Sequence, residues 1–162
     1  MGGKLLLAGA GKMGGALLAG WLKQGLAAGD VIVVEPHAAT ARAVRRRHRV
    51  NVVPSPDEIS GKPATVVFAV KPQAMDAVAP AYARFAGGGT VFLSIAAGKP
   101  IAYFRKILGR DAAIVRAMPN LPASVGRGVT VAVANRRVTK AQRRRCDGLL
   151  KAVGEVAWIV DE

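Results

Sequence analysis

An apolar run, Lys4-Leu5-Leu6-Leu7-Ala8, breaks directly into Gly9-Ala10-Gly11-Lys12-Met13-Gly14 and then into a helical pattern that runs to Gln24. This junction constrains the fold more than any other feature of the chain. A strand without polar alternation is buried on both faces, which calls for a parallel sheet with helices above and below it. G-x-G-x-x-G between such a strand and a helix has a physical reading at each glycine. Gly9 permits the tight turn, Gly11 lets the backbone approach a pyrophosphate, and Gly14 lets the helix pack close to the sheet. The helix start then presents free N–H groups and a positive dipole end to an anion.

The rest of the chain repeats the alternation. Apolar segments at 31–34, 50–53, 65–70, 90–95, 112–117, 129–133 and 156–160 read as strands, and 13–24, 38–48, 74–85 and 100–108 read as helices. Ser55-Pro56-Asp57-Glu58 and Thr139-Lys140-Ala141-Gln142 are capping-box patterns, each opening a helix. In the second of these helices Cys146, Leu149, Leu150 and Val153 share one apolar face. Strands alternating with helices predict an α/β fold, a Rossmann-type doubly wound, mainly parallel sheet with helices on both faces. The 162 residues fit one domain, 1–162, with no repeat and no linker.

Composition removes several classes of function. No apolar run approaches the roughly 18 residues that span a bilayer, and the N-terminus leads straight into the first strand without a signal-peptide pattern. The single Cys146 forms no internal disulfide, which suits a reducing, cytoplasmic setting. One cysteine and two histidines leave no metal-ligand constellation, so no metal is expected. The net charge of +14 is concentrated at Arg45, Arg46, Arg47 and Arg49 and at Arg136, Arg137, Lys140, Arg143, Arg144 and Arg145. These runs hold no aromatic residues for base stacking. They read as solvated helix faces rather than a nucleic-acid surface, although their field helps recruit an anionic cofactor.

The candidate site residues lie where open α/β sheets bind ligands, at the carboxyl ends of the strands. The turn supplies Gly9, Ala10, Gly11, Lys12, Met13 and Gly14. Glu35 ends the second strand, 21 residues after Gly14, where an acidic residue accepts from the ribose hydroxyls and repels a 2′-phosphate, favouring NAD. His37 and Arg42 close behind it partly offset that repulsion. Ala69-Val70-Lys71-Pro72 puts a cation at the rim. Ala96, Ala97 and Gly98 leave room for a flat ring and expose N–H groups. Met118-Pro119-Asn120 is expected as a rigid turn with an amide for a carboxylate or carboxamide.

The glycine turn, A-V-K-P, S-I-A-A-G and R-A-M-P-N-L-P-A, in this order, resemble the N-terminal domain of pyrroline-5-carboxylate reductases. The last two motifs are specific, whereas the turn is shared with many dehydrogenases. The resemblance implies hydride transfer from NADP(H) or NAD(H) to the C=N bond of 1-pyrroline-5-carboxylate, giving L-proline, a small-molecule substrate. It implies that residues 9–14, 69–72 and 96–98 hold cofactor and that 118–120 border nicotinamide and substrate, with no catalytic residue in this chain. It also implies an all-helical C-terminal domain that builds a homo-oligomer and much of the substrate site. That domain is not among these residues, so the chain is expected to bind cofactor with little or no turnover. Two rivals remain open: a related F420-dependent NADP reductase or hydroxy-acid dehydrogenase, against which R-A-M-P-N and L-P-A speak, and a non-catalytic basic nucleotide-binding module.

Overall fold

A computed structural model describes residues 3–162. Its strands β1 (Leu5–Ala8), β2 (Val31–Val34), β3 (Asn51–Val53), β4 (Thr65–Phe68), β5 (Val91–Ser94), β6 (Ala113–Pro119), β7 (Gly128–Ala134) and β8 (Gly154–Trp158) form one sheet. The spatial order is β3-β2-β1-β4-β5-β6-β7-β8. From β3 across to β6 every pairing is parallel. β7 then runs antiparallel to β6, and β8 parallel to β7. The helices are α1 (Lys12–Lys23), α2 (Ala38–His48), α3 (Met75–Val78), α4 (Ile101–Leu108) and α5 (Lys140–Lys151).

The all-apolar strands are sandwiched as their composition demands. Leu5 and Leu7 join a core with Leu17, Leu18 and Trp21 of α1 and Leu149 and Leu150 of α5. Leu6 and Ala8, pointing the other way, join a second core with Met75 and Phe104. That second layer is built around Phe68, which stacks on Phe92 and Phe104 and meets the Tyr82 ring edge-on. Across the first layer Trp21 Nε1 donates to the Leu149 carbonyl at 2.9 Å, joining α1 to α5 over 128 residues of sequence. The capping box at Thr139 and Gln142 forms in full.

Several expectations change. The helix expected over 74–85 is α for only Met75–Val78 and continues as a 3₁₀ helix over Ala79–Phe85. Pro80 has no N–H to give the α ladder. The helix expected after Ser55 is three residues of 3₁₀, Pro56–Glu58, and the Ser55 hydroxyl accepts from the Asp57 N–H. The last strand is Gly154–Trp158, two residues earlier than its apolar run suggested. Met118 and Pro119 are not in a turn: they end β6 and pair with Val131 and Thr130 of β7. A proline is tolerated near a strand end because little of the ladder remains to be donated.

Candidate functional site

The chain runs from β1 outward through β2 to β3, then crosses back so that β4 sits on the other side of β1. The crevice at the carboxyl ends of β1 and β4 is therefore the switch point of the sheet, where α/β folds take ligands. The glycine turn lies there, and its glycines differ in what they do. Gly9 has φ +89, and a Cβ on it would lie 2.8 Å from Val70 Cγ1. A Cβ on Gly14 would lie 2.3 Å from the Gly9 carbonyl oxygen. Both are glycine because the fold requires it. Gly11 has an ordinary φ of −67, and nothing lies within 4 Å of where its Cβ would be. Gly11 is the N-cap of α1, no side chain caps that end, and its first turn holds no acidic residue. An open space thus meets uncapped N–H donors, the condition for an anion.

Beside the turn a cavity of about 490 Å³ opens between the ends of β2 and β4. Val34, Pro36, Pro56, Val70, Val78 and Tyr82 give it apolar walls, and Glu35, His37, Ser55 and Lys71 supply its polar groups. Glu35 is 7% exposed. Its Oε2 accepts from the Ala10 N–H at 3.1 Å and its Oε1 from the His37 N–H at 3.0 Å. His37 Nδ1 lies 3.2 Å from the same Oε1. The carboxylate expected to wait for a ribose is therefore also a brace that ties the glycine turn to the β2–α2 loop. Lys71 is exposed at the opposite rim, where Pro72 starts a 3₁₀ turn over Pro72–Ala74.

The remaining expected residues divide. Ala97 and Gly98 are exposed, and Gly98 has open space where a Cβ would be. Ala96 is buried in the second core, and its N–H donates to Ser94 Oγ at 3.2 Å, so it offers no free donor. Met118 is 40% exposed. Asn120 is exposed and bonds its side chain to the neighbouring strand: Oδ1 accepts from the Val129 N–H at 2.9 Å while its own N–H donates to the Val129 carbonyl. Its amide oxygen serves β7. Arg116 of the same segment pairs with Glu162 at 3.0 Å.

One cluster near the site had not been foreseen. Asp76, just past Lys71-Pro72, accepts from Lys99 Nζ at 3.1 Å and from the Tyr103 hydroxyl. Lys99 directly follows Gly98 and also sits 4.3 Å over the Tyr103 ring. These bonds hold Asp76 below its usual carboxylate range, the tyrosine contributing most. The acid and the base lie on the two rim segments, and that pairing of signs was the available signal. Among the described residues no group of three or more His, Cys, Asp and Glu side chains is placed to hold a metal ion, and no helix is long and apolar enough to cross a membrane. Of the second cluster, Arg143, Arg144 and Arg145 lie on α5 and Arg136 and Arg137 in the turn before it: Arg143 stacks over Trp158 at 4.5 Å, and Arg144 is exposed.

Residues 4–98 match the family described as NADP oxidoreductase, coenzyme F420-dependent, which is more than half of the chain. The chain belongs to this family. The matched span of the F420-dependent NADP oxidoreductase family holds the turn, Glu35, Lys71 and Ala96–Gly98, but ends before Arg116. The full chain is 36% identical over 159 residues to the pyrroline-5-carboxylate reductase of Pseudomonas aeruginosa, covering 98% of this chain and 58% of that protein. Its fold superposes on the Coxiella burnetii pyrroline-5-carboxylate reductase with a TM-score of 0.94 at 27% identity, covering 99% of this chain and 60% of that one. A Plasmodium falciparum pyrroline carboxylate reductase with NADP bound shares the fold, with a TM-score of 0.84 at 23% identity over 98% of this chain and 58% of that one. The chain thus spans less than two thirds of the length of these relatives.

Proposed function

We propose that residues 1–162 are the dinucleotide-binding unit of a pyrroline-5-carboxylate reductase, and that the crevice between β1 and β4 holds NADP(H) or NAD(H). Gly11 carries this reading. Its glycine is not demanded by the backbone, it leaves open space, and it caps a helix whose end has no other partner. In this reading the diphosphate lies on the N–H groups of residues 11–14, with Gly9 and Gly14 shaping the turn and the Ala10 N–H held by Glu35. The adenosine lies in the apolar cavity beside Glu35, and Ala69, Val70, Lys71 and Pro72 line the path. Ala97 and Gly98 flank the nicotinamide, with Ala96 behind them as core packing. Met118, Pro119 and Asn120 border the substrate through the exposed thioether.

Bound there, the reduced nicotinamide would supply a hydride to the C=N carbon of 1-pyrroline-5-carboxylate, whose imine nitrogen already carries its proton, giving L-proline. The residues of this chain orient and bind, and none of them is assigned a proton-transfer role. Oligomer and much of the substrate site are assigned to the helical domain that the relatives' resemblance implies. A cytoplasmic location fits Cys146, a buried thiol whose burial pushes its pKa up to about 12, far from redox reactivity.

The match to pyrroline-5-carboxylate reductases covers 98% of this chain and so extends beyond residue 98, where the match to the broader family ends, which favours this substrate over a hydroxy acid. The test is a steady-state assay of the purified chain with either reduced nucleotide. The expected result is turnover of pyrroline-5-carboxylate far below the roughly 10 per second of an ordinary enzyme, with none of 2-oxo acids, which a hydroxy-acid dehydrogenase reduces with the same nucleotide. Turnover of a 2-oxo acid would overturn the assignment.

A further inference from the structure

The choice between the two nicotinamide dinucleotides rests on the dinucleotide reading above and goes one step past it. We propose that Glu35 makes this chain an NADH site that discriminates against NADPH. A dinucleotide whose diphosphate lies on the 9–14 turn directs its adenosine ribose to the end of β2, and Glu35 stands there. The carboxylate is fixed in place. Both oxygens are held by backbone N–H groups, from Ala10 at 3.1 Å and His37 at 3.0 Å, and the residue is 7% exposed. It has no freedom to swing away from an arriving anion. Oε1 also has His37 Nδ1 against it at 3.2 Å, but Oε2 keeps a lone pair beyond its bond to Ala10, so a ribose hydroxyl finds an acceptor. A 2′-phosphate, with roughly −1.5 to −2 of charge at neutral pH, meets a buried negative charge instead.

Nothing in the surroundings reverses that sign. NADP sites place an arginine against the 2′-phosphate, and here the arginines near the cavity are occupied or elsewhere. Arg45 of α2 donates to the Val52 carbonyl. Arg84 donates to the carbonyls of Pro56 and Ile59 at 2.6 and 2.7 Å. Arg42 is on α2 but does not line the cavity. The lining basic side chains are His37, already against Glu35, and Lys71, on the β4 side. On the third wall Ser55 donates to the Asp57 carboxylate at 3.1 Å, a second negative charge. The net charge of +14 attracts either nucleotide at long range, but it is screened beyond about 8 Å at physiological salt and does not select between them. The Plasmodium falciparum reductase that holds NADP shares 23% identity with this chain, a likeness of fold that leaves the residue chemistry at this position free to differ.

The test is calorimetric titration of NADH and of NADPH into the chain at physiological salt, repeated with Glu35→Gln and Glu35→Ser. Gln keeps an oxygen for the Ala10 N–H and removes the charge. The expected result is NADH binding tighter by about tenfold or more, equivalent to about 1.4 kcal/mol, and a ratio that collapses toward unity in both variants. Competition by 5′-AMP and by adenosine 2′,5′-bisphosphate isolates the 2′ group, and 5′-AMP is expected to win in the unaltered chain. NADPH binding as tightly as NADH overturns the proposal. So does a preference that persists in folded Glu35→Gln. Should both variants fail to fold, the ratios in the unaltered chain decide alone. If neither dinucleotide binds, the dinucleotide reading itself falls and the preference with it, an outcome distinct from binding with the wrong ratio.

Discussion

Two stretches at the carboxyl ends of the strands treat their polar groups in opposite ways. At the β1–β4 crevice the chain withholds side chains and leaves donors unused: Gly11 faces open space and α1 has no cap. At the β6–β7 edge donors and acceptors are consumed internally, Asn120 meeting Val129 through both its backbone and its side chain. Apolar side chains are left outside there: Met118 at 40%, Leu121 at 83% and Val129 at 50% exposure. The first stretch leaves hydrogen-bond donors open, as the proposed binding of a charged ligand requires. The second is internally ordered, and what it offers outward is apolar contact. A motif at a strand end therefore does not by itself mean a hydrogen-bonding site, since the same position in the sheet serves either purpose.

Substitutions at two glycines of one motif sharpen this difference, and the larger effect is on stability. Gly14→Val places carbon 2.3 Å from a backbone oxygen, an atom that cannot rotate away. The expected loss is at least about 3 kcal/mol, the upper range for overpacking, read as a fall in the denaturant midpoint. Binding disappears with the fold in that variant. Gly11→Ala meets no atom within 4 Å and adopts a φ any residue tolerates. Its stability is expected to move by less than about 1 kcal/mol, while dinucleotide affinity falls by about tenfold or more, or about 1.4 kcal/mol. Equal stability losses in the two variants would erase the distinction between a glycine the fold needs and a glycine the ligand needs.

The fold was largely legible because its signals are local and periodic. Unbroken apolar runs marked buried strands, and Thr139 with Gln142 marked a helix start that forms as read. Pro80 was a visible warning against one long helix over 74–85, but the switch to 3₁₀ depends on how the segment packs Tyr82 and Phe85 under the sheet. The antiparallel turn of β7 was not legible, since apolar runs carry no direction. The site was legible in part for the same reason. Gly9, Gly11, Gly14 and Glu35 sit at fixed offsets from a strand and a helix. The partners of Asn120 and Asp76 lie 9 and 27 residues away, and no spacing rule joins them.

The smallest expected effect concerns the link between the two rim segments. Asp76 is held below the usual carboxylate value by the Tyr103 hydroxyl and then by Lys99. Tyr103 is pushed up to about 12, by desolvation first and then by its bond to Asp76. The signs differ. A carboxyl lowered in the folded state adds stability above its unfolded value of about 3.9, and this is lost as pH falls through the folded value. A phenol raised in the folded state adds stability that is whole below about 10 and is lost as pH rises through the folded value. Denaturant midpoints of the chain are therefore expected to fall below about pH 4 and again above about pH 10, with both limbs shallower in Tyr103→Phe. Because that variant leaves every other carboxylate in place, the difference between the two profiles isolates this one bond. Superimposable profiles would mean that Asp76 and Tyr103 are merely neighbours and that the two rim segments are held in place by packing alone.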